Sequence, residues 1–592
     1  MAERTILDFY RRDVEATRPD HYRHYTPDGV RSLSTEDFQQ RTAAVAASLG
    51  ELGVGAGDRV MLLSDNRPEW HMVDLAVTSR GAVDVPVYGT LTPEQIAYQV
   101  FDSGARVAVV ESPEQMAKLL DVRESCPGLE HLVQVDGPFE PGVTPLEDLV
   151  DGGDSPTAVA DFWDRAALLD GRQLMTIIYT SGTTGEPKGV MLSHANIVQN
   201  VLHSAHRVPV QQNDVALEFL PLCHVLERMV GYIYMWRATT RAYCSVYHVG
   251  ELLATIRPTL FAGVPRFYEK VQQTIHDKVA SSSMVRRALF QWAVGVGREA
   301  SIKRIAGREV GGALERRYEL ADRLVLSKVR EGLGGRLRYC ISGGAELPMH
   351  VAEFFHAVGI PVLEGYGLTE TSPVIAVNGA APGTLRLGTV GKPLSNLEVE
   401  IAADGELLVR GPSVMEGYWN KPDETAEAFD DRGFFATGDI AEIDDDGFVL
   451  IVDRKKDLIV TAGGKNVAPQ PIESRLKQSP LVDTAVLIGD HRPYVVALLS
   501  PAFDELERWA RERRLAWADH VDLVSLEAVR ELYRDIVETV NAPLARYEQV
   551  KRFRLLPTSL SIEGGQLTPT LKVKRRVVAE QYAGLIAELY GE

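Results

Sequence analysis

The sequence contains little cysteine and no long apolar run. Four of its 592 residues are cysteine, widely scattered and without a Cys-x-x-Cys pair. This excludes a disulfide-built scaffold, and it predicts buried free thiols in a reducing, cytoplasmic compartment. No stretch approaches the ~18 apolar residues of a membrane span, and the N-terminus lacks the apolar segment of a signal peptide. We therefore expect a soluble protein, or at most one peripheral to a membrane.

Basic residues are also in short supply. The chain has 63 Lys and Arg against 82 Asp and Glu, a formal net charge of −19. A nucleic-acid binder would show the opposite balance, and any site for an anionic ligand must be locally basic against this overall field. With 592 residues and 45% hydrophobic content, the chain is expected to fold as an ordinary globular protein of two or more domains.

The most informative stretch is YTSGTTGEPKG at residues 179–189. It follows the apolar run 175–179, which predicts a buried strand, and it precedes Ser193, which is suited to cap a helix running through Val201. Its glycines let backbone N–H groups approach an anion, its hydroxyls donate hydrogen bonds, and Lys188 adds a positive charge. A P-loop is excluded because no hydroxyl follows the lysine. Composition alone would also fit a solvated linker.

The whole string resembles the phosphate-binding loop of the ANL adenylate-forming superfamily, which includes acyl-CoA synthetases, peptide-synthetase adenylation domains and luciferases. Further motifs follow in the family's order as far as residue 576. The resemblance implies an α/β ANL fold. A large N-terminal adenylation domain of several α/β subdomains would span residues 1–453, a small α+β mobile lid would span 454–592, and the active site would lie between them. Alternating strand and helix patterns in residues 1–170 independently predict parallel sheets flanked by helices.

Two glycine-rich motifs extend the predicted nucleotide site: SGGAE at residues 342–346 and LEGYGLTET at 363–371. The resemblance implies that Tyr366 stacks on adenine, that Thr369 contacts the α-phosphate, and that Glu370 holds Mg²⁺, a cation that prefers oxygen ligands. The residues that the resemblance assigns to ATP in and beside these motifs are Thr180, Ser181, Gly182, Thr183, Thr184, Gly185, Gly343, Gly344, Ala345, Glu364, Gly365, Tyr366 and Gly367. Lys188, Thr369 and Glu370 are predicted to act in catalysis.

The motifs FATGD at residues 435–439 and VDRKKD at 452–457 predict the ribose contact and the hinge. The carboxylate of Asp439 can accept hydrogen bonds from two vicinal hydroxyls. By resemblance, Arg454 also contacts the ribose, and Lys456 is the hinge about which the lid turns. Without the other motifs, such a basic run would be interpreted as solvated surface.

The last two motifs are predicted to serve coenzyme A and the acyl group. Gly463, Gly464 and Lys465 resemble the segment that lines the pantetheine tunnel after the lid has turned. In LTPTLKVKRR at residues 567–576, the family places one lysine that bridges the acyl carboxylate and the adenylate. Lys572 is our choice and Lys574 is the alternative. Without the preceding motifs, a basic tail that binds nothing specific would be the favoured interpretation of this last segment.

Two regions bear on the acyl substrate. The segment FLPLCHVLER at residues 219–228 resembles the long-chain subgroup of acyl-CoA synthetases, which implies that His224 borders the acyl tunnel, although a lone histidine is more often part of a core. In some relatives a gating tryptophan occupies the position of Arg228, so the sequence does not identify the residue that gates the tunnel. Residues 270–336 carry 14 Lys and Arg against seven Asp and Glu and resemble a helical insertion of long-chain synthetases. They predict either a solvated charged face or a surface that meets anionic lipid headgroups.

The sequence therefore predicts a long-chain fatty-acid–CoA ligase that uses ATP, Mg²⁺ and coenzyme A. The fatty acid would attack ATP to give acyl-AMP and pyrophosphate, and coenzyme A would then displace AMP after the lid turns. The alternative is a fatty acyl-AMP ligase, or an adenylation enzyme that delivers the acyl group to a carrier protein. A light-emitting oxygenase and a non-catalytic scaffold are less favoured. The chain length of the acid and the oligomeric state, a homodimer included, are left open.

Overall fold

The computed structural model describes residues 3–180, 186–561, 564–567 and 573–591. The chain forms two compact units. Unit 1 comprises Met1–Glu400, Leu408–Ala436 and Ile443–Val449, and unit 2 comprises Ile401–Leu407, Thr437–Glu442 and Leu450–Glu592. The predicted domain boundary at residues 453/454 stays a prediction.

The strands are, in chain order, β1 Tyr22–Thr26, β2 Gly29–Leu33, β3 Arg59–Leu63, β4 Val83–Val87, β5 Val107–Val110, β6 His131–Gln134, β7 Thr144–Pro145, β8 Leu174–Thr180, β9 Lys188–Ser193, β10 Val215–Glu218, β11 Thr240–Tyr243, β12 Leu260–Gly263, β13 Cys340–Ser342, β14 Val362–Gly367, β15 Val374–Val377, β16 Lys392–Pro393, β17 Glu398–Ile401, β18 Glu406–Arg410, β19 Gly417–Tyr418, β20 Phe435–Ile443, β21 Val449–Arg454, β22 Ile459–Val460, β23 Asn466–Val467, β24 Val482–Ile488, β25 Val495–Pro501 and β26 Val550–Leu555.

The α-helices are α1 Ile6–Glu15, α2 Thr35–Glu51, α3 Pro68–Ser79, α4 Pro93–Ser103, α5 Pro113–Asp121, α6 Leu146–Gly153, α7 Ala158–Leu168, α8 His194–Arg207, α9 Val225–Trp236, α10 Val249–Ile256, α11 Pro265–Ala280, α12 Met284–Ile305, α13 Ala313–Ala321, α14 Ser327–Gly332, α15 Met349–Ala357, α16 Pro422–Glu427, α17 Pro469–Leu476, α18 Phe503–Glu512, α19 His520–Ser525, α20 Glu527–Asn541, α21 Arg575–Gln581 and α22 Ala583–Tyr590. Short 3₁₀ turns span Thr369–Thr371 and Lys455–Asp457.

Two sheets organise the described part of unit 1. The first has the strand order β19-β9-β8-β4-β3-β5-β6-β7, and the second has the order β16-β15-β14-β13-β12-β10-β11-β1-β2. Strands β3, β4 and β5 pair in parallel. Strands β4 and β5 are buried along their whole length, as expected for a sheet covered by helices on both faces. This confirms the predicted parallel sheets.

The chain around the predicted phosphate loop differs from the expected strand-loop-helix order. The strand predicted at residues 175–179 is confirmed as β8, and the Ser193 hydroxyl caps α8 by accepting from the Asn196 N–H. However, the loop is followed first by a strand, β9, antiparallel to β8. The helix predicted from Ser193 is confirmed, and the strand before it was not predicted. That strand forms because the buried side chains of Val190 and Leu192 alternate with Met191, which favours a strand.

The predicted helical insertion contains most of α11 and all of α12, α13 and α14, with a π-helical turn at Asp322–Leu326. The buried face of α12 includes Phe290, Ala293, Val296 and Ala300. Apolar residues at this spacing share one face of a helix.

Unit 2 has a core of its own around the described sheet β24-β25-β26. Strand β25 pairs antiparallel with β24 and parallel with β26, and every residue of it is buried. Helices α17, α18 and α20 supply apolar side chains to the same core, including Leu476, Leu506 and Tyr533.

The four cysteines are free thiols and all are buried, as the sequence predicts. Within the described ranges, no helix is both long and apolar enough to cross a membrane.

Candidate active site

The phosphate-loop lysine lies at the start of β9 in unit 1. Thr180 ends β8, and its hydroxyl is 3.5 Å from the carbonyl oxygen of Lys188. The Lys188 ammonium lies 4.9 Å from the centre of the Tyr418 ring, within range of a cation–π interaction. The other five residues predicted for this loop, Ser181, Gly182, Thr183, Thr184 and Gly185, lie outside the described residues.

Aromatic side chains hold the end of the loop in place. The Tyr98 hydroxyl donates to the carbonyl oxygen of Pro187 at 3.0 Å. Asp102 accepts from the Tyr179 hydroxyl through its carboxylate at 2.6 Å, and its carbonyl accepts from the Trp419 indole at 2.9 Å. The strand that enters the loop and the segment containing Trp419 are thus tied to one residue of α4.

The second predicted glycine turn follows β13. The Gly343 N–H donates to the Gly263 carbonyl at 3.2 Å, and a Cβ on Gly343 would lie 3.0 Å from the Leu226 side chain. Gly344 has a φ of +83°, a conformation that favours glycine. Gly344 and Ala345 are exposed, so this turn offers bare backbone at the surface, as an adenine contact requires.

Strand β14 brings the third motif beside that turn, since Ser342 pairs with Glu364. Glu364 is buried, and its carboxylate accepts from the Leu347 N–H at 3.0 Å. Burial raises the pKa of Glu364 to about 8. These contacts give Glu364 a structural part in holding the glycine turn. Tyr366 is half-buried near the end of the strand, where its ring can meet a base.

The glycines on either side of Tyr366 are sterically required. A Cβ on Gly365 would lie 3.2 Å from the Val377 side chain, and one on Gly367 would lie 1.8 Å from the Pro373 carbonyl oxygen. A larger residue at Gly367 would therefore push β14 away from the following segment.

Thr369 and Glu370 lie in the 3₁₀ turn after β14, and both are half-buried. The Tyr418 hydroxyl donates to Glu370 Oε1 at 3.0 Å, and the Met415 N–H donates to the Glu370 carbonyl at 2.8 Å. Burial raises the pKa of Tyr418 far above its usual value, so the phenol stays a hydrogen-bond donor. Tyr418 therefore contacts both the predicted metal carboxylate and the predicted phosphate lysine.

The donor set suits a nucleotide-bound metal better than a protein-held one. Among the described residues, no three His, Cys, Asp or Glu side chains form a metal-binding group. Mg²⁺ in nucleotide sites commonly takes one or two carboxylates and shares the phosphates. Glu370 fits that role.

His224 caps helix α9. Its Nδ1 accepts from the Leu226 N–H at 3.1 Å, and the side chain is half-buried. Because the Leu226 side chain lies next to Gly343, His224 caps a helix whose first turn contacts one of the glycines predicted to bind adenine. Its predicted position beside an acyl tunnel stays a prediction.

Arg228 is fully buried at the centre of an ion-pair network. Its guanidinium contacts Asp74 at 2.5 Å and Asp84 at 2.9 Å, and it donates to the Tyr232 and Thr176 hydroxyls, each at 2.8 Å. Thr176 belongs to β8, which leads into the phosphate loop. Arg228 thus links the helix of His224 to the strand of the nucleotide site.

In unit 2, the two predicted ribose residues lie together. Arg454 Nε is 3.4 Å from Asp439 Oδ1, with the Asp439 side chain 5% exposed and the Arg454 side chain 37% exposed. The Asp439 N–H donates to the Thr437 hydroxyl at 3.2 Å. Two residues 15 positions apart in sequence thus form an ion pair, which brings the two predicted ribose contacts to one place.

The predicted hinge lysine, Lys456, is exposed in the 3₁₀ turn at Lys455–Asp457. Its neighbour Lys455 contacts Asp404 at 2.6 Å and Glu406 at 2.7 Å. The hinge position is therefore tethered on one side by a pair of carboxylates.

The predicted pantetheine segment is the turn of the β22–β23 hairpin. Gly463, Gly464 and Lys465 are exposed, and Gly464 has a φ of +72°. The Lys465 ammonium lies 5.9 Å from the centre of the Tyr547 ring. This turn presents its backbone to solvent, which suits a face that meets a ligand.

Lys572, the predicted catalytic lysine, lies outside the described residues. Its alternative, Lys574, directly precedes α21. The next residue, Arg575, is half-buried and forms a forked ion pair with Glu473, and it donates to the Leu487 carbonyl at 2.8 Å. This anchor fixes the start of α21, directly after Lys574.

Tyr418 is the residue that sequence reasoning missed. It lies in GYWN at residues 417–420, and the clustering of a glycine and two aromatics was its only local signal. Its importance lies in contacts with residues about 50 and 230 positions away in sequence, which no periodicity reveals.

Comparisons with known proteins agree with this geometry. Residues 11–419 match the family of AMP-binding enzymes, and residues 456–592 match the AMP-binding enzyme C-terminal domain. The chain is 37% identical over 571 residues to the long-chain-fatty-acid–CoA ligase FadD15 of Mycobacterium bovis, covering 95% of this chain and 93% of that one. It is 31% identical to the long-chain-fatty-acid–CoA ligase ACSBG2 of Xenopus laevis, covering 94% and 80%.

The fold is also shared with solved structures. The adenylation domain of a carboxylate reductase from Mycobacterium chelonae superposes with a TM-score of 0.74 at 22% identity, covering 99% of this chain and 91% of that chain. At this identity the likeness concerns the fold alone, and it confirms the predicted ANL adenylate-forming architecture. The chain therefore belongs to the AMP-binding enzymes and, among them, to the long-chain-fatty-acid–CoA ligase family of AMP-forming acyl-CoA synthetases.

Proposed function

We propose that this protein activates long-chain fatty acids with ATP and transfers them to coenzyme A. In the first step, a carboxylate oxygen attacks the α-phosphorus of ATP, and the bond to pyrophosphate breaks. In the second, the sulfur of coenzyme A attacks the acyl carbonyl, the thiol proton is lost, and AMP leaves. The observation that carries the proposal is the meeting of Lys188 and Glu370 at Tyr418, because it gathers a phosphate-binding cation and a metal-binding carboxylate in one place.

The residues of unit 1 would bind the nucleotide. Tyr366 would stack on adenine above the bare backbone of the Gly343 turn, and Thr369 would donate to the α-phosphate. The Lys188 ammonium would neutralise the phosphate chain. The nucleophile is the substrate itself, so the protein acts by positioning and by stabilising charge that develops on phosphate oxygens.

Glu370 would hold Mg²⁺ together with phosphate oxygens. The metal, when bound, lowers the repulsion between the two anionic reactants. The Tyr418 hydroxyl that donates to Glu370 Oε1 supports this assignment, since this hydrogen bond holds the carboxylate in one orientation. Removing divalent cations with EDTA should abolish fatty-acid-dependent pyrophosphate release.

The residues of unit 2 would complete the site and then exchange roles. Asp439 and Arg454 would hold the ribose, and Lys572 would bridge the acyl carboxylate and the adenylate. A rotation about Lys456, with a lid beginning at residue 454, would then replace Lys572 by the turn at residues 463–465, which would line the path of pantetheine. The Asp439–Arg454 ion pair and the exposed glycine turn support these roles.

The rival proposal is an enzyme that makes acyl-AMP for a carrier protein. Both enzymes would share every ATP-binding residue, so the acceptor must be tested directly. The experiment is release of AMP from ATP, with straight-chain acids from acetate to stearate, in the presence and absence of coenzyme A. A long-chain ligase gives an optimum at long acids and needs coenzyme A for multiple turnovers. An optimum at acetate, or turnover only with a carrier protein, would refute the proposal.

We further propose that the enzyme is a cytoplasmic protein that touches anionic membranes through the first turn of α12. Met284 and Val285 are 76% and 77% exposed, and Arg286 and Arg287 follow them at the surface. Residues 278–298 contain no Asp or Glu, in a chain of net charge −19. Two exposed apolar side chains beside cations suit a lipid headgroup layer, from which a fatty acid would be drawn.

Sedimentation with vesicles tests this contact. Vesicles containing phosphatidylglycerol should bind the enzyme more tightly than pure phosphatidylcholine, and added salt should weaken the binding. The double variant R286E/R287E should lose binding. R316E/R317E, which makes the same charge change on exposed residues of α13, is the matched control. Equal losses in both variants would show a diffuse charge effect and would contradict the proposed turn.

A further inference from the structure

Tyr418 lies where two separate parts of the nucleotide site meet. It belongs to β19, the edge strand of the first sheet, and pairs with Val190 of β9. Its ring centre is 4.9 Å from the Lys188 ammonium, and its hydroxyl is 3.0 Å from Glu370 Oε1. Tyr418 alone therefore contacts both Lys188, which follows the loop, and Glu370, which lies in the 3₁₀ turn.

The backbone on either side of Tyr418 makes the same connection. The Trp419 N–H donates to the Gly189 carbonyl at 2.7 Å, and the Met415 N–H donates to the Glu370 carbonyl at 2.8 Å. Gly189 admits this approach because a Cβ there would lie 3.2 Å from Trp419 Cβ and 2.7 Å from Ile177. The segment 415–419 therefore spans from the 3₁₀ turn to β9, and its position is fixed at both ends.

The side chain of Tyr418 supplies two different interactions. Its hydroxyl donates to one oxygen of the Glu370 carboxylate. Because that oxygen is held, the direction in which the second oxygen points is also fixed. Its ring face attracts a cation, which holds the Lys188 ammonium on the same side. A phenylalanine would keep the second interaction and lose the first, whereas a leucine would lose both.

We propose that Tyr418 is a positioning residue that sets the Glu370 carboxylate for the nucleotide-bound metal and aligns Lys188 with the phosphates. The proposal rests on the proposed function, because it needs an ATP–metal complex at this site. Outer contacts of this kind commonly change metal affinity by about 10- to 100-fold when they are removed.

The test measures binding without turnover. Mn²⁺ replaces Mg²⁺, and electron paramagnetic resonance counts bound Mn²⁺ in the presence of ATP and the absence of fatty acid. Y418F should weaken Mn²⁺ binding about tenfold, while metal-free ATP binding, measured by calorimetry, stays within about twofold. Y418L should weaken both. Y22F is the matched control, since Tyr22 also donates to a buried carboxylate, Asp13, at 2.7 Å, and its Mn²⁺ binding should equal that of the wild type.

A double-mutant cycle separates positioning from general loss of stability. In the E370Q background, adding Y418F should change Mn²⁺ binding by less than about twofold, because the partner of the hydroxyl is already altered. Equal Mn²⁺ affinity in the wild type and Y418F, or a full additional loss in the double variant, would overturn the proposal. If the wild type itself binds no Mn²⁺ with ATP, the proposed function fails instead. Should Y418F not fold, Y418L tests the loss of both interactions together, and equal Mn²⁺ affinity in the wild type and Y418L would then overturn the proposal.

Discussion

Fully buried networks of charge lie in unit 1, whereas the described core of unit 2 is mainly apolar. In unit 1, fully buried ionisable side chains cluster in two networks, around Arg228 and around Arg241; their members include Asp13, His21, His71, Asp74, Asp84 and Glu218. Unit 2 has a hydrophobic core cluster that includes Leu476, Val495, Leu499 and Tyr533, and its buried charged residues Glu406, Asp439 and Asp453 lie outside that cluster.

A buried network of charges and an apolar core constrain the positions of side chains to different degrees. A buried ion pair gains little net stability but tolerates few geometries, because a misplaced charge loses its partner and is costly. Arg228 ties α3, β4 and β8 to the helix capped by His224, so the elements that carry the nucleotide and acyl residues share one fixed centre. An apolar core stabilises a body without fixing polar directions. We infer that the buried charges of unit 1 fix the positions of the elements that surround Arg228.

The largest expected effect concerns the segment that carries Lys572. K572A should lower adenylation by about 100- to 1,000-fold, because one charge-stabilising donor in the transition state is lost. Thioester formation from supplied acyl-AMP should stay within about threefold of wild type. The measurement is pyrophosphate release for the first half-reaction and acyl-CoA formation for the second. K574A is the control, and a larger loss in K574A would transfer the role to that lysine.

The hinge should give the opposite pattern. Proline fixes φ near −65°, so K456P should lower thioester formation from acyl-AMP by about 100-fold through misplacement of the lid. Adenylation should be largely spared. Rapid-quench measurement of both half-reactions distinguishes this from misfolding, in which both would fall together.

Unit 1 should lose stability when Arg228 is replaced by an uncharged side chain of similar length. R228M leaves Asp74 and Asp84 buried without their cation, and it should lower the free energy of unfolding by about 3–5 kcal/mol. R41M, which removes a more exposed partner of Glu147, should cost less than about 1 kcal/mol. Denaturant unfolding gives both values. A cost below 1 kcal/mol for R228M would contradict the idea of a charged structural centre.

A further expected effect is a pH dependence of unit 1. Burial raises the pKa of Glu218 to about 7 and that of Asp84 to about 8. Because these folded-state values exceed the unfolded ones near 4, the folded state holds extra protons, and stability is lost as pH rises from about 4 to 8. Each group contributes up to about 1.4 kcal/mol per pH unit. Thermal unfolding between pH 5 and 8 should slope less steeply in E218Q than in wild type, and identical slopes would contradict this assignment.

Much of the site could be anticipated from local sequence. The glycine turns, the β8 strand and the Ser193 cap follow from patterns within a few residues. The contact of Asp439 with Arg454 was expected only because both resemble ribose-binding positions. Tyr418 could not be found in this way, because its contacts join distant segments. Strand β9 was missed because six residues with two buried apolar positions give too short a pattern to distinguish from the start of a helix.

The charged networks of unit 1 were equally invisible beforehand. Arg228 was noted only as a position that lacks an aromatic gate, since a single sequence does not show that Asp74 and Asp84 approach it. Such networks depend on tertiary packing, in which residues about 150 positions apart meet.

The most direct test of the central claim is exchange of labelled pyrophosphate into ATP without coenzyme A. The account predicts that exchange requires both a long-chain fatty acid and a divalent metal, since reversible acyl-AMP formation at the Lys188 and Glu370 site is its source. Absence of exchange with every acid offered to the folded enzyme would contradict the account, as would exchange that proceeds equally well without any acid.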